Sequence, residues 1–191
     1  SIAANGQRFA EHLQQLAETW PTPVEEIVLI GHSMGGLLAR SACHHAAMHG
    51  HAWPATLRHL VCMGSPHHGA PLERGGDWID LVIGATPFAA PLARIGKIRS
   101  AGITDLRHGH ALSARDRRRA VMLPKGVRCY AMAATTGLRR GDLKDRLIGD
   151  GLVPVAIALG HHPDPDRVIG FAKSRQWIGY GMNHLDLLSH R

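Results

Sequence analysis

Long apolar runs are missing from this 191-residue chain: no segment approaches the roughly 20 consecutive apolar residues that cross a bilayer, so no membrane-spanning helix is expected. Cysteine is scarce. Cys43, Cys62 and Cys129 cannot all pair and show no CxxC spacing, so they are expected to be buried free thiols, which fits a reducing, cytoplasmic setting. Acidic residues are also short, 15 against 22 basic, for a net charge of +7. The excess is local, at Arg115 to Arg119 and at Arg139, Arg140, Lys144 and Arg146. Neither stretch is interleaved with aromatics and no nucleic-acid motif is visible, so a solvated surface is expected and no nucleic-acid partner. No HExxH is present, and adjacent His pairs point in different directions, so no catalytic metal is expected. No basic, apolar leader opens the chain, which begins at Ser1 rather than Met and is expected to be the interior of a longer protein.

What is present is ordinary globular composition, 45% hydrophobic and 19% charged, with 22 Gly and 11 Pro. Disorder, collagen-like repeats and low-complexity arrays are excluded, and one domain is expected over residues 1–191. Helix and strand patterns alternate, the signature of an α/β layer fold. A helix capped by Asn5 carries Phe9, Leu13 and Leu16 on one face and stops at Trp20 and Pro21. Glu26 to Ile30 and Leu57 to Met63 read as short buried strands. Met34 to His49 reads as a helix that Gly50 ends. Residues 71–126 hold only short amphipathic pieces broken by Gly and Pro, and are expected to form a helical cap inserted over one end of the sheet. Val127 to Ala134 and Arg175 to Gly179 resume the strand pattern.

The sharpest local signal is Gly31-His32-Ser33-Met34-Gly35-Gly36, between an expected strand and an expected helix, where a G-x-S-x-G nucleophile is found. A serine in such a turn sits in strained backbone at a helix N-terminus, where free N–H groups favour developing negative charge. It needs a base and a group to orient that base. Fifteen histidines prevent choice by counting, but chain order places the base after the last strand, at His184. The acid is expected after the insertion, at Asp150 in Gly149-Asp150-Gly151, with Asp142 and Asp145 as rivals in charged surroundings. Asp-Gly alone is usually only a turn.

The elbow, the segment Gly64-Ser65-Pro66-His67-His68-Gly69-Ala70-Pro71, the turn Gly149-Asp150-Gly151-Leu152-Val153-Pro154 and Asn183-His184-Leu185-Asp186 occur in that order. Together they resemble the α/β-hydrolase superfamily, specifically bacterial lipases and esterases and the related GPI inositol-deacylase-like proteins. The resemblance runs from about Ile27 to Asp186. It implies an α/β-hydrolase fold, a mostly parallel sheet with flanking helices, here without the family's strands ahead of the nucleophile. It implies ester hydrolysis with Ser33 as nucleophile, His184 as base, Asp150 as acid and the backbone N–H of Met34 as half of the oxyanion hole. No cofactor and no metal are implied. Some relatives bind structural calcium at the position of Asp186, but no partner carboxylate stands at the upstream position, so Asp186 is expected to tether its loop. His32, Trp78 and Phe88 are the candidate substrate-binding side chains. An apolar cap over the crevice would accept the acyl chain of a lipid ester by burial, and the Arg115 to Arg119 stretch would add weak, salt-sensitive attraction to an anionic membrane surface. No obligate protein partner is implied. The same triad serves acyl transfer and thioester or amide cleavage, and a non-catalytic binding module of this fold is the rival from another class.

Overall fold

A computed structural model describes residues 1–69, 121–139 and 149–189. The first helix, α1, spans Ile2–Thr19. Its cap is Ser1 rather than the expected Asn5: the Ser1 hydroxyl accepts the N–H of Ala4, and Asn5 donates its own N–H to the Ser1 carbonyl. Ile2, Ala3, Gly6, Ala10 and Leu13 fall on one stripe at helical spacing and are buried against helix α2, Met34–His49. That helix has the bounds its sequence suggested. Gly50 ends it, donating its N–H to Ala46.

Four strands form a parallel sheet among the described residues: β1 (Ile27–His32), β2 (Leu57–Met63), β3 (Arg128–Thr135) and β4 (Gln176–Tyr180), side by side in chain order. The β1–β2 register pairs His32 with Met63, and β2–β3 pairs Met63 with Met132, so the carboxyl ends of β1 and β2 stop level while β3 runs on to Thr135, which pairs with Tyr180 at the end of β4. Leu29, Leu60, Cys62, Cys129, Ala131 and Ala133 form the buried face beneath α2. Trp53, 2% exposed, closes the opposite end, where its indole N–H reaches the Ala10 carbonyl. The other face is more open: Val28, Ile30 and Trp177 are exposed. Two short helices follow, α3 (Val155–Ala158) and α4 (Asp186–Ser189), with 3-10 turns at Trp53–Ala55, Pro165–Arg167 and Lys173–Arg175. No helix among the described residues is long and apolar enough to cross a membrane. Most of the expected 71–126 insertion lies outside the described residues, and with it Trp78, Phe88 and the Arg115 to Arg119 stretch; so do Asp142 and Asp145.

Candidate active site

Ser33 sits where β1 turns into α2. Its φ is 55° and ψ −123°, and it is the one non-glycine residue with positive φ among the described residues. The turn is tight enough that neighbouring side chains are excluded. A Cβ on Gly31 would lie 2.5 Å from the Gly35 carbonyl carbon and the Gly36 nitrogen, and one on Gly36 would overlap the Ser65 side chain. Gly35 is different: a Cβ there meets nothing within 4 Å among the described residues. Close packing therefore requires the first and last glycines of Gly31 to Gly36, and not the middle one. The Ser33 N–H is held by the Met63 carbonyl at 2.8 Å. Its hydroxyl is buried and makes no hydrogen bond with the described residues. Met34 is the first residue of α2, so its N–H has no carbonyl within the helix to bond.

Asp150 and His184 are both buried, and Nδ1 of His184 donates to Oδ2 of Asp150 at 2.6 Å. The other carboxylate oxygen accepts the N–H groups of Leu152 and Val153 at 2.9 and 2.8 Å, which locks its orientation. The His184 N–H in turn bonds the Asp150 carbonyl. With the proton of the neutral ring on Nδ1, Nε2 carries the basic lone pair. The loop behind is tied by a reciprocal turn: Asn183 donates its N–H to the Asp186 carboxylate, and the Asn183 side chain accepts the N–H groups of Leu185 and Asp186. Asp186 thus tethers the loop that carries His184, as its sequence position suggested.

The imidazole of His184 is brought to the elbow by two contacts. Gly64, at φ 57°, presents its bare Cα to the ring, where a Cβ would stand 3.0 Å from Cε1. His32 donates from Nε2 to the His184 carbonyl at 3.0 Å, with the two rings 4.6 Å apart. Burial is the main force lowering the His32 pKa, in keeping with a neutral donor. His32 was expected at the substrate. The structure places it against the main chain of His184. No group of three or more metal-ligating side chains occurs among the described residues.

Three more polar residues bear on this end: Ser65 and His67 stand in the Gly64 to Pro71 segment, whose His67 and His68 are expected from the sequence to shape the loop near the site, whereas no motif singles out Arg40. Ser65 is fully buried against Gly36, and His67 is buried and bonded to Arg40, itself buried. Arg40 had a legible cue. It lies four residues after Gly36 and three before Cys43, on the stripe of α2 that faces the core.

The profile of the PGAP1-like alpha/beta domain family matches residues 8–128. The chain belongs to this family. The matched span runs from within α1 through β1, the elbow, α2 and β2 to the first residue of β3. The fold of this PGAP1-like domain is that of the α/β hydrolases. It is similar to the crystal structure of the mature Bacillus licheniformis lipase BlEst2, with TM-score 0.53 and 18% identity over 98% of this chain and 69% of the lipase. It is also similar to the propeptide form of that lipase, with TM-score 0.51 and 20% identity over 100% of this chain and 39% of the other. No curated protein sequence matches the domain.

Proposed function

We propose that this domain is a serine hydrolase of carboxylic esters. The observation that carries the reading is the pairing of a strained, buried Ser33 with a buried, hydrogen-bonded His184–Asp150 pair at the same end of a parallel sheet. That is the end where ligands bind in open α/β folds. In this reading Ser33 Oγ attacks the ester carbonyl, and Nε2 of His184 takes the proton. Asp150 keeps Nδ1 protonated and stabilises the imidazolium that forms. The Met34 N–H, at the positive end of α2, receives the developing oxyanion. His184 then returns its proton to the leaving alcohol, and water repeats the sequence on the acyl-enzyme. The Ser33 hydroxyl makes no hydrogen bond with the described residues, and in such sites the bond from nucleophile to base commonly tightens only when substrate enters.

The resemblance to a lipase in fold, and the exposed apolar side chains of Met34 and Leu138 near the strand ends, support an apolar acyl group. A fluorophosphonate probe is expected to label Ser33 in the full-length protein, with the adduct mapped by peptide mass. Labelling that persists undiminished in Ser33→Ala would overturn the assignment.

A further inference from the structure

Beneath the elbow, α2 and the loop leaving β2 are joined by polar groups that neither the triad nor the apolar core uses. Arg40 lies about two turns along α2 from Ser33 and is buried. Its Nη1 donates to Nδ1 of His67 at 2.9 Å, and its Nη2 donates to the Val121 carbonyl. No carboxylate among the described residues pairs with it, and its Nε has no hydrogen-bond partner there. Burial pulls its pKa down to about 10, so it remains a cation near neutrality. A buried cation whose partners among the described residues are all neutral acceptors is a poor device for stability, because no opposite charge among them repays its desolvation. An apolar side chain would fill the same space at less cost.

What the arrangement does accomplish is placement. A guanidinium only donates, so Nδ1 of His67 is an unprotonated acceptor and the ring is neutral. The loop so anchored is short and internally bonded, His67 N–H to Ser65 and Gly69 N–H to Pro66. The chain leading into it touches both the elbow and His184: Met63, the last residue of β2, holds the Ser33 N–H, Gly64 abuts the His184 ring, and Ser65 packs on Gly36 in the first turn of α2. His67 is the point at which this loop is fastened to the same helix that begins at Ser33.

We propose that Arg40 is a positioning residue: by donating to His67 it fastens the loop at 64–69 to α2, and so sets the spacing between the Ser33 hydroxyl and the His184 ring. The proposal rests on the serine-hydrolase reading above. It concerns the acceptor atom on residue 67 rather than the volume of the side chain, and that distinction makes it testable.

The experiment measures the rate of Ser33 labelling by a fluorophosphonate, and kcat and KM on a short p-nitrophenyl ester, in the full-length protein. The variants are His67→Asn, His67→Leu and Arg40→Met, each checked for folding by circular dichroism. Asn presents an acceptor oxygen where His presents Nδ1; Leu fills the space without one. His67→Leu and Arg40→Met are expected to lose roughly 10- to 100-fold in kcat and in labelling, the scale of a small misplacement of reacting groups, with KM little changed. His67→Asn is expected to stay within a few-fold of the parent. Equal losses in His67→Asn and His67→Leu, or parental rates in folded Arg40→Met and His67→Leu, would overturn it. If Arg40→Met does not fold, the two His67 variants decide the matter alone. A parent protein whose Ser33 is not labelled would instead overturn the serine-hydrolase reading.

Discussion

Ser33 occupies a backbone conformation that costs a residue with a side chain on the order of 1–3 kcal/mol, and the glycines at 31 and 36 leave room for it. Its partners are held as firmly. Asp150 has both oxygens engaged, one by His184 and one by two backbone N–H groups. Replacing Asp150 by Asn should keep the turn, since the amide oxygen still accepts from Leu152 and Val153. The amide would favour the wrong tautomer of His184. Turnover is expected to fall on the order of 10⁴-fold, as in the serine-protease template, while Asp145→Asn has little effect. A severe Asp145 variant beside a mild Asp150 variant would reverse the assignment. His67 gives a second expectation at this scale. Burial, and then Arg40, hold its pKa well below the ordinary value. The unfolded chain therefore binds a proton near pH 6.5 that the folded protein refuses. Stability should be complete above that pH and decline as the pH falls below it, with His32 and His68, also lowered mainly by burial, acting in the same direction. Thermal melts between pH 7.5 and 5 should show a falling midpoint, less steep in His67→Asn. An equal slope in parent and variant would remove His67 from the account. The elbow at Ser33 and the turn that carries Asp150 were legible in the sequence because their Gly-flanked patterns are local, and chain order then pointed to His184, which the structure bonds to Asp150. Arg40 was not, because an isolated Arg in a helix is ordinarily at the surface. Only its place on the Gly36–Cys43 stripe hinted otherwise.

The elements show where sequence pattern suffices and where tertiary contact decides. Apolar runs located all four strands to within two residues, and α2 to the residue, since Ser33 and Gly50 both interrupt the helix. The N-terminus of α1 was misplaced because Asn5 and Ser1 are both good caps, and only the observed Ala4 bond to Ser1 separates them. The elbow glycines look alike in sequence and differ in surroundings. Gly36→Ala forces its methyl onto Ser65 and should cost about 1–3 kcal/mol in denaturant unfolding, as overpacking does. Gly35→Ala meets open space and gains helix propensity, so its stability should be unchanged or slightly raised. Equal destabilisation by both would mean that the close approach of Gly36 to Ser65 is not what fixes the elbow. The cysteines behave as their segments suggested. All three are buried and unpaired, and burial pushes the thiols of Cys43 and Cys62 up to about 12. Iodoacetamide should leave them unmodified in the folded protein at neutral pH.

Over the whole molecule, one face of the sheet is a closed core and the other is open at β1. Leu29 points inward while its neighbours Val28 and Ile30 are 47% and 66% exposed. A continuous apolar run suggested burial on both faces, because sequence alone cannot say what covers a strand. In the 191-residue chain Leu29→Ala should cost about 2–5 kcal/mol and Ile30→Ser well under one. Similar costs at the two positions would show that the second face is also packed. At the site end of the sheet, the strand ends, the elbow and the His184 loop meet as a unit, and the central claim is that Ser33, Asp150 and His184 act as one machine. The direct test is non-additivity of kcat on a p-nitrophenyl ester among Ser33→Ala, His184→Ala and the double variant. Residues that act together lose nearly everything with the first substitution. The double variant is therefore expected to be no slower than either single one. Losses that instead multiply, so that the double variant is slower than both by the product of the two, would mean that Ser33 and His184 act independently and that the triad assignment is wrong.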